Sequence, residues 1–125
     1  MTPAELFGTA RVARLATTGP HLVPIVFALV GDVIHTAVDG KPKRSRALRR
    51  LANIAADPRV SVLADHYDED WTRLWWVRAD GIARVLDDSP AGLTALTSKY
   101  VQYQEAPPAG PFVEIKVERW SAWKP

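Results

Sequence analysis

Arg73 to Leu86 reads RLWWVRADGIARVL, and its alternation decides the fold class. The odd positions Trp75, Val77, Ala79, Gly81, Ala83 and Val85 are all apolar, while the even positions include Trp76, Arg78, Asp80 and Arg84. A period of two places the first set on one face of a strand and the second on the other. The spacing predicts a long strand with a continuous core face. Trp76 beside Arg78 on the opposite face suits a planar anionic ligand, and equally a cross-strand stack or a dimer contact.

On the N-terminal side, Arg59 to Asp65 predicts a partner strand, preceded by Asp57-Pro58, where a helix over Arg46 to Ala56 has to stop. Leu48, Leu51 and Ile54 mark the apolar side of that helix. Between the two strands lies Asp65-His66-Tyr67-Asp68-Glu69-Asp70, whose spacing fits no metal-binding loop and reads as a solvated turn. On the C-terminal side, Ser89-Pro90 caps a helix carrying Leu93, Leu96, Tyr100 and Tyr103. A proline-rich loop over 106–111 leads to a last strand, where Val113, Ile115 and Val117 alternate with charged residues. The tail Arg119-Trp120-Ser121-Ala122-Trp123 is expected to dock on another surface.

At the start of the chain, Thr2, Pro3 and Glu5 form a capping-box signature for a helix reaching about Arg11. A strand over Arg14 to Thr17 ends at Gly19-Pro20. Leu22 to Val30 is apolar almost throughout and reads as one strand buried on both faces. Pro24 has no ladder donor and marks an edge, a bulge or a ligand-facing gap. Gly31-Asp32 turns the chain into Val33 to Val38, with Val33, His35 and Ala37 on one face and Ile34, Thr36 and Val38 on the other. These six strands and three helices predict one mainly β (α+β) domain over 1–125: a six-stranded antiparallel barrel, closed or partly closed, with flanking helices.

The charge is local. Lys41 to Arg50 (KPKRSRALRR) holds six basic residues and no acid, and the other 115 residues carry 10 Lys+Arg against 14 Asp+Glu. Such a cluster is either a solvated loop or a site for phosphate or carboxylate at a helix entrance. Nucleic-acid binding would need interleaved aromatics, and these lie elsewhere in the chain, so no nucleic-acid partner is expected. The absence of cysteine excludes disulfides, thiolate nucleophiles and Cys-ligated metals. No metal is expected. No apolar run approaches the roughly 20 residues needed to span a bilayer, and a cytoplasmic protein is the default expectation. Five tryptophans are many for 125 residues, so some of them belong in a ligand pocket or a subunit interface.

The order of helix, ARLATTG, apolar hairpin, basic loop, NIAADPRVSVLAD and WWVRADGIARV resembles the pyridoxamine-phosphate-oxidase-like split β-barrel superfamily. Within it, the chain is most similar to the short branch of probable F420-dependent deazaflavin enzymes. The resemblance runs from about Leu6 to Trp123 and is most specific at Asn53-Ile54, Asp57 to Ser61, and Trp76-Val77-Arg78 to Gly81. It implies a homodimer with two cofactor clefts at the subunit interface. The implied cofactor contacts are Pro24, Val26 and Phe27 near the ring, Thr36 on the strand before the basic loop, and Lys41, Lys43, Arg44, Arg46 and Arg50 on the anionic groups. Trp76 and Arg78 would close the cleft, from either subunit. The chain lacks the C-terminal extension of true pyridoxamine-phosphate oxidases, which argues against vitamin B6 oxidation.

A basic loop richer than one monophosphate requires favours coenzyme F420, with its phosphate and γ-glutamyl tail, over FMN. The expected activity is hydride transfer between reduced F420 and a flat, apolar, unsaturated small molecule, with the cofactor carrying the chemistry. An FMN-dependent oxidoreductase and a non-catalytic carrier of F420, FMN or haem are the alternatives. His35 is a candidate proton donor if its face meets the cleft, and a core histidine otherwise. Tyr67 and Tyr100 are weaker candidates.

Overall fold

A computed structural model of the chain describes residues 1–38 and 44–125. The element order is α1 (Pro3–Gly8), β1 (Ala13–Thr17), β2 (His21–Ile25), β3 (Ala28–Val30), β4 (Val33–Ala37), α2 (Arg44–Ala56) and β5 (Arg59–His66). A 3-10 turn (Trp71–Arg73), β6 (Trp75–Leu86), α3 (Pro90–Lys99), α4 (Val101–Glu105) and β7 (Phe112–Trp123) complete it. The strands form one antiparallel sheet in the order β2-β1-β5-β6-β7-β4-β3.

Two neighbours in sequence, β2 and β3, are therefore the two edges of this sheet. Laid flat, seven strands would hold their edges about 29 Å apart. Only Val26 and Phe27 join Ile25 to Ala28, a reach of at most about 11 Å. The sheet has to curl until its edges nearly meet, which makes it a barrel with a split at Val26-Phe27. The expected single strand over Leu22 to Val30 is thus two, and the strand count is seven rather than six. Leu22 and Val30 are 67% and 57% exposed, so that stretch is not buried on both faces either. Its apolar run reflects alternating duties at two sheet edges.

The break is held by side chains in place of a ladder. Tyr100 accepts a hydrogen bond from the Phe27 N–H at 3.1 Å. Its hydroxyl lies 2.8 Å from the Phe27 carbonyl and 2.9 Å from the Arg11 carbonyl, and its one proton serves either. Thr36 Oγ1 donates to the Val26 carbonyl at 2.7 Å. Tyr100 reaches this position because it is extended (φ −116°, ψ 120°) between α3 and α4. The helix expected to run on through Tyr100 is accordingly two helices.

The long strand behaves as its alternation predicts over most of its length. Val77, Ala79, Gly81 and Ala83 are buried on the core side, and the pattern lapses only at Val85, which is 36% exposed. β7 pairs with β6 from Phe112 to Trp123, so the C-terminal tail is strand rather than a docked extension. A register shift at Asp80/Gly81 leaves Glu118 as the extra residue, and a Cβ on Gly81 would collide with the backbone carbonyl of Lys116. The capping box of α1 forms as expected, with Thr2 and Glu5 bonding each other's backbone N–H, although the helix stops at Gly8 instead of near Arg11. Phe7, Leu15, Phe27, Ile34, Val62, Val77 and Ile115 are the fully buried centre of the core. Asn53 Nδ2 donates to the buried Thr17 Oγ1 at 3.1 Å and so pins α2 to β1.

Candidate functional site

The split in the barrel opens a cleft of about 310 Å3 lined by Val12, Pro24, Ile25, Val26, Thr36, Ala37, Arg50 and Tyr103. A second hollow of about 450 Å3 adjoins it and shares Val12, Val26 and Tyr103. Its other walls are Arg11, Tyr100 and Gln102. The combined groove falls in the size range of small-molecule sites. Its local origin is plain. Pro24 sits on edge strand β2, where no further strand asks for an N–H. Thr36 comes from β4 and Arg50 from α2.

Four of the expected cofactor residues, Pro24, Val26, Thr36 and Arg50, therefore share one cleft. Phe27 does not present its side chain there. It is fully buried, with its ring 4.7 Å from that of Phe7, and only its backbone borders the split. Arg44 opens α2, and Arg46 also lies in the first turn, which contains no acid. Lys41 and Lys43 lie outside the described residues.

Trp76 and Arg78 lie elsewhere on the same chain, in a smaller hollow of about 290 Å3 with Leu63, Asp65 and Tyr67. On the outer face of the sheet Pro24 pairs with Arg14, Arg14 with Leu63 and Leu63 with Arg78. Three strand spacings, about 14 Å along the sheet, thus separate Pro24 from Arg78. Arg78 is ion-paired to Asp80 at 3.1 Å, and Ser61 Oγ donates to the same carboxylate at 2.6 Å.

His35 faces away from this groove. It lines a separate cleft against α3, on the other side of β4 from Thr36. Burial holds its pKa below the usual histidine value, partly offset by Glu114. Tyr100 has its hydroxyl committed to backbone, and burial raises its pKa. Tyr67 is 66% exposed and belongs to the Trp76 hollow.

Val12, Arg11 and Tyr103 are lining residues that a sequence reading overlooks. Arg11 and Val12 fall in a connector, and Tyr103 looks like one more apolar helix position. The acidic loop organises itself: Asp68 accepts from the Asp70 N–H and Asp70 caps the 3-10 turn through Thr72, which holds both carboxyls below their usual range. Among the described residues no group of three His, Asp or Glu side chains is placed to hold a metal ion, and no helix is long and apolar enough to cross a membrane.

No curated relative matches the chain. Solved structures similar to it include a FAD-binding protein from Mesorhizobium loti (TM-score 0.69, 22% identity, covering 94% of this chain and 88% of that one). A FAD-binding protein from Mycobacterium smegmatis is also similar (TM-score 0.64, 21% identity, 96% and 90% covered). A third is a haem storage protein from Vibrio cholerae (TM-score 0.66, 13% identity, 96% and 89% covered). At these identities the likeness is one of fold. The family model described as pyridoxamine 5'-phosphate oxidase matches residues 4–124, nearly the whole chain. With the split barrel and its groove in place, the chain belongs to the pyridoxamine 5'-phosphate oxidase family.

Proposed function

We propose that the chain is an oxidoreductase that binds a flavin-type cofactor in the barrel split, and that this cofactor is reduced coenzyme F420. The observation that carries the reading is the meeting of Pro24, Val26, Thr36 and Arg50 in one groove. Flat apolar walls from Val12, Pro24, Val26 and Tyr103 suit a planar ring, and Arg50 suits its anionic end. When bound, F420 supplies a hydride to an electron-poor double bond in a flat, apolar acceptor. The protein contributes orientation. The backbone at Val26-Phe27 is fixed by Thr36 and Tyr100, which would keep the groove walls in place for the ring, while Arg50 and the basic segment before it would hold the phosphate and carboxylates.

FMN is the second reading, favoured by the FAD-binding proteins among the similar structures. A haem carrier has less support, since no His or Met is among the described residues lining the groove. The functional unit is a homodimer. None of the five tryptophans is fully buried in one chain, and Trp76 and Trp123 lie opposite each other on β6 and β7. An interface across that outer face would cover them and bring the partner's copy of this surface to the groove.

Fluorescence titration of the apo protein with F420 and with FMN tests the reading. F420 is expected to bind at least tenfold more tightly, and Arg50→Glu with Lys43→Glu to weaken it in a salt-sensitive manner. Equal affinity of wild type and the double variant for F420 would overturn the assignment of the anion end.

A further inference from the structure

On the far side of β4 from the groove lies a separate cleft of about 740 Å3, between β3, β4 and α3. Its walls are mostly small and apolar, including Ala28, Leu29, Ala91 and Ala95. Four polar side chains interrupt them: Thr94 and Ser98 along α3 and, at the two ends, His35 and Lys99. His35 is 5% exposed, and its imidazole makes no hydrogen bond with any described residue. Burial keeps the ring uncharged at neutral pH, with one donor and one acceptor unmet. Lys99 lines the same cleft, its ammonium 3.9 Å from the centroid of the Phe27 ring and donating to the Ala10 carbonyl at 2.6 Å. The other two N–H donors of this ammonium have no hydrogen-bond partner among the described residues.

The two groups are separated along α3. A Cβ on Gly92 would lie 3.4 Å from His35 Nδ1, which places the imidazole at the start of the helix. Lys99 is seven residues further on, a rise of about 10 Å. A cation and a neutral hydrogen-bonding ring at the two ends of a mostly apolar trough, with only the Thr94 and Ser98 hydroxyls between them, match a ligand with an acid at one end and a neutral polar group at the other. We propose that this cleft binds a medium-chain carboxylate bearing a hydroxyl or keto group near its far end, the acid on Lys99 and the far oxygen on His35. The site is separate from the barrel split, and the proposal stands whichever cofactor the split takes.

Titration of the isotope-labelled full chain with octanoate and with ω-hydroxyoctanoate, followed by NMR, tests this. Both are expected to give saturable shifts at Leu29, Ala91 and Ala95. The hydroxylated probe should bind several-fold more tightly and shift the His35 ring nitrogens further. Lys99→Met should weaken both carboxylates about tenfold and leave octan-1-ol unchanged. Ala91→Trp, at an exposed position on the rim, should abolish the shifts while the protein keeps its native spectrum and its F420 or FMN affinity. The proposal is overturned if neither carboxylate saturates, if octylamine binds as tightly as octanoate, or if the shifts survive in Ala91→Trp. Should Ala91→Trp lose its native spectrum, the Lys99→Met comparison of octanoate with octan-1-ol decides alone.

Discussion

Replacing Tyr100 with Phe removes one oxygen from the point where the barrel splits. That oxygen accepts the Phe27 N–H at 3.1 Å and lies within donating distance of the Phe27 and Arg11 carbonyls at 2.8 and 2.9 Å. Phe27 is fully buried, so water has no ready access to its freed N–H. Each buried polar group left unmet costs about 1–3 kcal/mol. The N–H and one carbonyl lose their partner together, and with each at the low end of that range, since water can reach the part-buried Arg11 carbonyl, the expected loss is about 2–3 kcal/mol. For 125 residues the unfolding entropy is on the order of 260 cal/mol/K, which converts each kcal/mol into about 4 °C. Tyr100→Phe should therefore melt about 8–12 °C below wild type, with the urea midpoint lowered and the slope unchanged. The exposed Tyr67→Phe is the control and should melt with wild type. A Tyr100→Phe protein melting within about 2 °C of wild type would show that the crossover does not depend on this hydroxyl.

Other substitutions probe different parts of the structure. Gly81→Ala places a methyl against the Lys116 carbonyl at the β6–β7 bulge and should cost about 2–3 kcal/mol, read as a lowered urea midpoint. Burial and Arg11 lower the Lys99 pKa to about 8, against 10.5 for the unperturbed side chain. The unfolded chain thus holds more protons between those values, and stability should rise as pH climbs from 8 to 10.5, a rise absent in Lys99→Met and measured by urea titration. Asp57, held at about 2 mainly by its hydrogen bond with Arg59, should contribute stability above pH 4 that fades as pH falls toward 2. Asp57→Asn should flatten that part of the acid unfolding curve. Sedimentation should give twice the 13.8 kDa chain mass, and Trp76→Glu with Trp123→Glu should shift it to the monomer.

What local chemistry dictates was readable in the chain. The alternation from Trp75 to Ala83, the Thr2/Glu5 cap and the stop at Asp57-Pro58 each follow from periodicity, capping or a missing donor within a few residues, whereas Pro24 allowed an edge, a bulge or a gap until the strand order made it an edge. The concentration of cations between Lys41 and Arg50 is equally plain in composition, and Pro24, Val26, Thr36 and Arg50, four of the cofactor contacts that the resemblance implies, line one cleft.

Only the tertiary structure decided the rest. An apolar run from Leu22 to Val30 looks the same whether it is one strand or two. What splits it is Tyr100, more than seventy residues away, whose hydroxyl satisfies the backbone that no strand pairs. The same long-range closure turned Val12 and Tyr103 into groove walls, set Trp76 and Arg78 three strands from Pro24 and pointed His35 at α3. Periodicity tells which residues share a face of one element. Which faces meet depends on how the sheet curls, and that is settled by contacts between residues distant in sequence.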